Sequence, residues 1–295
     1  MGCSFSIVGC GKVGKALGKS LVDAGYAAAG TASKSLSSAK KAADLLQTGR
    51  YSDVPWEITA SADVVLITTP DGAIADTCRL IAENKGFKPN AVVLHCSGAL
   101  PSTILSSAGR CGAFTGSMHP LQSFAADDFS RNPFAGIIVD VEGEPPALAI
   151  ARQMATDLGA TCLVIETNAK TLYHAAAVVA SNYLVTLLAL AFKLLSEAGI
   201  SGPTAYSVLQ PLIKGTLTNI QTVGIPQALT GPIARGDIET VKQHIAAIKS
   251  KTPQLLGLFK TLSFHTIEIA LARGSLSERD AGILRTILGR GNGFS

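Results

Sequence analysis

Gly9-Cys10-Gly11-Lys12-Val13-Gly14 follows the strand-like run Ser4–Val8 and precedes a helical stretch, Lys15–Asp23, so a G-x-G-x-x-G pattern sits at a strand-to-helix turn. Each glycine serves a separate purpose. Gly9 permits the tight turn, Gly11 lets the main chain approach a pyrophosphate, and Gly14 lets the helix lie close to the strand. With Cys10, Lys12 and Val13 between them, the turn would direct the unpaired N–H groups and positive dipole end of the helix at the phosphates. An ordinary glycine-containing turn is the plain alternative. Gly9-x-x-x-x-Gly14-Lys15 also matches most of a nucleoside triphosphate loop, but Ala16 stands where that loop needs a hydroxyl for Mg²⁺, and the extra Gly11 favours a dinucleotide.

Which dinucleotide depends on the end of the second strand, where an NAD site usually carries an acid for the ribose 2′-hydroxyl. Here Ser33, Lys34 and Ser35 occur instead, with no Asp or Glu between Asp23 and Asp44. Hydroxyls and a cation suit a 2′-phosphate, so NADP(H) is expected, although Ser33 and Ser35 could equally cap the helix that follows. Ligands in open α/β sheets bind outside the carboxyl ends of the strands. Thr69-Pro70, Ser97-Gly98 and Met118-His119-Pro120 each follow a later strand and are expected beside the cofactor, His119 as a candidate acid or base.

Lys170, His174, Ala177 and Ser181 are spaced by four, three and four residues, which at about 100° per residue confines them to one face of a helix, with Asn182 on its flank. Carbonyl reduction needs a proton donor beside the oxygen, and Lys170 or His174 could supply it, with Ser181 and Asn182 binding substrate. A solvated stripe with a satisfied core histidine is the competing reading.

Positioning these residues requires an α/β unit. Strand-like runs at Ser4–Val8, Tyr26–Thr31, Asp63–Thr68, Ala91–His95, Ala113–Met118, Gly136–Val141 and Thr161–Ile165 alternate with helical patterns, which predicts a mostly parallel, doubly wound sheet. From about Thr167 only helices are read, one of them over Asn168–Ala198. The expected domains are 1–166, binding the cofactor, and 167–295, an all-helical unit for substrate and dimerisation. Charged residues make up 16% of the 295, the net charge is +4, and the charges are scattered, which argues against nucleic acid. Six cysteines without C-x-x-C pairs predict neither a disulfide framework nor a metal site, and reduced thiols fit the cytoplasm. The apolar run Val178–Phe192 is shorter than the roughly 20 residues that span a bilayer, so no membrane is expected.

The arrangement resembles the superfamily of β-hydroxyacid dehydrogenases, ketopantoate reductase and pyrroline-5-carboxylate reductase. In the first two a Lys on the first long helix of the second domain is followed four residues later by Asn; here Lys170 is followed by His174. Over nearly the full chain it is most similar to a family in which a Rossmann-like domain precedes a helical domain of unknown function. The marks are Lys170 to His174, Ser181-Asn182, and the run from Leu229 to Asp237, within which Thr230 and Arg235 are candidate substrate ligands. Met118-His119-Pro120 resembles a His-Pro element of prephenate dehydrogenases. The resemblance implies an NADPH-dependent reductase of a small carbonyl or imine acid, ketopantoate first and pyrroline-5-carboxylate or a prephenate-like acid next, working as a homodimer with its chemistry between the domains. A non-catalytic NADP(H)-binding redox sensor, and a dimerisation protein with a vestigial site, are the readings from other classes.

Overall fold

The computed structural model describes residues 3–124 and 131–289. Among the described residues, eight strands form one sheet: β1 (Ser4–Val8), β2 (Ala27–Ala32), β3 (Tyr51–Ser52), β4 (Val64–Ile67), β5 (Val92–His95), β6 (Phe114–Pro120), β7 (Ile138–Gly143) and β8 (Thr161–Val164). Their order is β3-β2-β1-β4-β5-β6-β7-β8. Every neighbouring pair is parallel except β6 and β7, which run antiparallel with His119 opposite Asp140 and Ser117 opposite Glu142.

Successive residues of a strand point to opposite faces, and here both faces are apolar. Phe5, Ile7, Val64, Leu66, Val92 and Leu94 enter one cluster, while Val8, Val65, Ile67 and Val93 enter another. Helices α1 (Lys12–Asp23) and α2 (Leu36–Leu45) cover the first face with Leu17, Leu21 and Ala42. The second is covered by Ile58 of α3 (Pro55–Thr59), Ile74 and Cys78 of α4 (Asp71–Glu83) and Ala108 of α5 (Ser106–Gly109). Helix α6 (Pro145–Asp157) returns to the first face through Ala151 and Met154. The doubly wound α/β sheet followed by helices is the architecture expected from the alternation of patterns.

The long helix expected over 168–198 is interrupted. α7 (Lys170–Ala180) ends at Ser181, whose φ of −111° and ψ of −66° lie off the helix, and α8 (Asn182–Glu197) begins at the next residue. The chain divides into two compact units here, Met1–Asn182 and Tyr183–Ser295. The second unit continues with α9 (Pro203–Val223), α10 (Ile225–Ala228), α11 (Ile238–Lys251), α12 (Leu256–Arg273) and α13 (Glu278–Leu288). Val241, Ile267, Ala270, Leu284 and Leu288 form its core. Helices α8 and α9 instead expose large apolar side chains, among them Val185 at 68% and Leu212 at 67%.

Among the described residues, two helical stretches, Thr167–Glu197 and Pro253–Arg273, are long and apolar enough to cross a membrane, the first well beyond the expected Val178–Phe192. The first contains Lys170, fully buried against the sheet of the α/β unit, and the second gives Ile267 and Ala270 to the helical core.

The glycine turn joins β1 to α1. Gly9 has a φ of +108°, and a Cβ there would lie 2.7 Å from the main chain of Thr68 and Thr69; a Cβ on Gly14 would lie 2.2 Å from the Gly9 carbonyl oxygen and 2.5 Å from Thr68 Oγ1. Thr68 Oγ1 itself donates to the Gly9 carbonyl at 2.6 Å, tying the turn to β4. A Cβ on Gly11 would meet nothing within 4 Å. Gly14→Ala should therefore destabilise the protein by about 1–3 kcal/mol through overpacking, whereas Gly11→Ala should stay within about 0.5 kcal/mol. Urea unfolding checks both, and equal midpoints for the two variants would refute this packing account.

Candidate active site

A groove of about 970 Å³ runs along the carboxyl ends of β1, β2, β4 and β5. Gly9, Cys10, Gly11, Lys12 and Val13 form its floor, with Ser33 and Lys34 toward one end and Thr69, Pro70 and Ser97 along the other strands. Gly11 is the N-cap of α1, where no side chain caps the helix and no acid occupies the first turn. An open N-terminus beside an open Gly11 leaves main-chain donors and room for phosphate oxygens. Thr69 Oγ1, also in the groove wall, is buried without a hydrogen-bond partner among the described residues. These features fit a dinucleotide.

Gly14, Ser35 and Gly98 are not in the groove wall. Gly14 is packed inside the turn. Ser35 caps α2, its Oγ accepting the Ser38 N–H at 3.4 Å, and it is not in the groove wall. Ser97 lines the groove, but its hydroxyl donates to Asp71 Oδ2 at 2.8 Å and accepts the Ala99 and Leu100 N–H groups. Gly98 lies under two histidine rings: a Cβ there would fall 2.5 Å from His174 Nδ1 and 2.8 Å from His119 Nε2. The two rings meet edge to face with centroids 5.7 Å apart.

Sequence reading missed the acid that stands behind these rings. Asp140 on β7 is fully buried; its Oδ2 pairs with His119 Nδ1 at 2.6 Å, and its Oδ1 lies 3.4 Å from Lys170 Nζ. Lys170 donates also to Ser117 Oγ at 2.9 Å. Lys170, expected at the reacting oxygen, has a side chain that is 1% exposed, with its ammonium turned to Ser117 and Asp140 of the sheet. A solitary acid in the apolar run Ile137–Val141 was the available signal, because a buried carboxylate needs a partner.

Glu142, on the same face of β7 two residues on, is another missed acid. Its carboxylate accepts from Ser102 N–H and Oγ–H at 2.5 and 2.9 Å and from Thr167 Oγ1–H at 3.0 Å. Asp53, just after β3, lines the groove with Trp56. Because Ala32 pairs with Ser52, this acid follows a strand position adjacent to Ser33, although none occurs in the second strand's own turn.

Of the remaining candidates, Ser181 and Asn182 are exposed at the junction of α7 and α8, whereas Lys170 and His174 meet Ser117 and His119 of the sheet. Thr230 lines a separate cavity of about 590 Å³ within the helical unit, and Arg235, exposed, is not part of its lining.

Burial dominates the titration of the neighbouring groups. It pushes the Cys10 thiol up to about 11 and that of Cys96, also in the groove wall, up to about 12, so neither is a thiolate near neutral pH. The imidazole of His95, beside Ser117 in the sheet, is pushed down to about 4, first by burial and then by the positive charge of Lys170. Its Nδ1 accepts the Ser97 N–H at 3.1 Å, and its buried Nε2 makes no hydrogen bond among the described residues.

The family model of a Rossmann-like domain matches residues 2–120, and that of DUF2520, a domain of unknown function, matches residues 137–266. No curated protein matches the chain by sequence. Among solved structures, a Bacteroides fragilis protein described as a candidate NADP oxidoreductase is 22% identical over 90% of this chain and 98% of its own, with a TM-score of 0.76. The 3-hydroxyisobutyrate dehydrogenase of Mycobacterium tuberculosis is 17% identical over 97% and 99%, TM-score 0.53. A pyrroline-5-carboxylate reductase of Coxiella burnetii is 13% identical over 96% and 99%, TM-score 0.59. At these identities the likeness shows the fold.

His95 generates a pH prediction. Its native pKa lies below the unfolded value of about 6.5, so as pH falls through the window down to about 4 the unfolded chain takes up a proton that the native state refuses. The stability contribution is complete above the window and lost within it, on the order of 3 kcal/mol. His95→Asn, which keeps an acceptor for the Ser97 N–H, should show a shallower loss between pH 7 and 4 in urea unfolding. Parallel pH profiles for variant and parent would contradict the assignment.

Proposed function

The chain belongs to the two-domain family that joins a Rossmann-like domain to a DUF2520 domain, and on that footing we propose that it is an NADP(H)-dependent oxidoreductase of a small carbonyl or imine acid. The observation that carries the reading is the groove over the open N-terminus of α1, lined by Gly11 and continued by Lys34 at one end and Ser97 at the other. When bound, the nicotinamide supplies or accepts a hydride.

This chain's own residues do the rest. Main-chain donors of the turn hold the pyrophosphate, and Lys34 meets the 2′-phosphate, with Asp53 the local counterweight to that preference. His119 is the acid or base. Its pairing through Nδ1 with Asp140 leaves Nε2 to exchange a proton with substrate, and Asp140 stabilises the imidazolium that forms. Lys170 holds Asp140 in place from the far side. Ketopantoate loses its argument here, because it rested on a Lys at the reacting carbonyl. A cofactor sensor would need no dyad, so the His119–Asp140 pair favours an enzyme over that alternative. The exposed apolar residues of α8 and α9 are proposed as the face of a homodimer, with the helical unit serving dimerisation and substrate; a monomer at micromolar concentration in sedimentation would remove that part.

NADPH should bind more tightly than NADH, and Lys34→Ala should reduce the difference by about ten-fold or more, the scale of a charge-assisted hydrogen bond. Gly11→Val, which puts a branched side chain into the open space of the turn, should abolish binding of both cofactors without altering the circular dichroism spectrum. Calorimetric titration decides: equal affinity for NADPH and NADH sinks the cofactor preference, and undiminished binding by folded Gly11→Val sinks the site.

A further inference from the structure

His174 carries a ring nitrogen that is sealed from solvent and has no partner among the described residues. Its Nδ1 makes no hydrogen bond in the structure, and native proteins rarely leave a buried polar group unmatched without a reason. This nitrogen and His119 Nε2 converge, lying 2.5 and 2.8 Å from the one point a Cβ on residue 98 would occupy. A glycine at that place leaves the space to the two imidazoles. Ser97, the residue before Gly98, lines the groove.

We propose that the two nitrogens together hold one substrate oxygen, and that the reacting couple is therefore hydroxyl and carbonyl rather than amine and imine. The inference rests on the oxidoreductase reading and narrows its substrate class. With the Nδ1 proton of His119 given to Asp140 as a hydrogen bond, neutral His119 presents an acceptor at Nε2. His174 protonated at Nδ1 presents a donor. A hydroxyl satisfies both, donating to His119 and accepting from His174. On oxidation its O–H bond breaks and the proton passes to His119 Nε2; the carbon's hydrogen leaves with the C–H electron pair as hydride to the oxidised nicotinamide, and the oxygen's freed pair completes the C=O bond. Reduction reverses each transfer, the carbonyl oxygen accepting from both nitrogens. A reacting iminium nitrogen has a proton to give and no lone pair, so it would set an N–H against the His174 donor.

The test uses the full chain, its His174→Ala variant and its Gly98→Ala variant, whose added methyl falls first against the two imidazoles. NADPH binding is measured by calorimetry, NADPH oxidation is followed with a panel of small 2-oxo acids and aldehydes against cyclic imine acids, and imidazole tautomers are read from long-range 1H–15N spectra. The expected result is carbonyl turnover that falls by about 10²-fold or more in both variants, unchanged NADPH affinity, and a proton on Nδ1 of both His119 and His174. Turnover confined to imines, carbonyl turnover indifferent to His174→Ala, or a His174 proton on Nε2 would overturn the proposal. If NADPH binds and nothing in the panel turns over, the tautomer decides: Nδ1–H on His174 supports the oxygen seat and Nε2–H overturns it. Failure to bind NADPH would overturn the parent reading and this one together, whereas NADPH binding with the wrong tautomer overturns this one alone.

Discussion

The ion pair between Lys170 and Asp140 is the interaction on which the rest of the site depends. Both side chains are withdrawn from water, 1% and 0% exposed, so each forfeits hydration worth several kcal/mol. Their mutual attraction offsets that cost only with further hydrogen bonds, and the structure supplies them: Lys170 donates to Ser117, and Asp140 pairs with His119. The same contacts tie α7 to β6 and β7, which explains how one pair fixes both a helix position and a ring orientation.

Around the pair, the polar groups are arranged so that several segments meet in register. The antiparallel pairing of β6 with β7 puts His119 opposite Asp140, a geometry in which side chains face each other directly. Glu142, two residues farther along β7, binds Ser102 and Thr167, which lie shortly beyond Gly98 and shortly before Lys170. One strand therefore holds the loop beneath the two histidines and the helix that carries His174. His95, kept neutral by burial, adds no charge that would compete with Lys170 for Asp140.

Local rules made the cofactor turn legible. Gly9 and Gly14 are required by close main-chain contacts, and such requirements leave a fixed spacing in the sequence. The larger strands were legible because a sheet buried on both faces produces continuous apolar runs, as at Val64–Ile67. β3 has only two residues, too few for a pattern, and with it went Asp53, the acid beside the groove. The break at Ser181 carries no proline or glycine to announce it. Helical spacing put Lys170 and His174 on one face correctly, but spacing says nothing of depth. That depth is set by Asp140, 30 residues away, and by an antiparallel strand pair that no local pattern encodes.

A double-mutant cycle on Lys170→Met and Asp140→Asn, measured by urea unfolding, tests the central claim most directly. Each single change should cost about 3–5 kcal/mol, because it strands or misaligns a buried charge, and the double variant should recover part of that, with a coupling of at least about 1 kcal/mol. Additivity within about 0.5 kcal/mol would mean that the two residues act independently, and the buried pair could not then be what holds His119 in place.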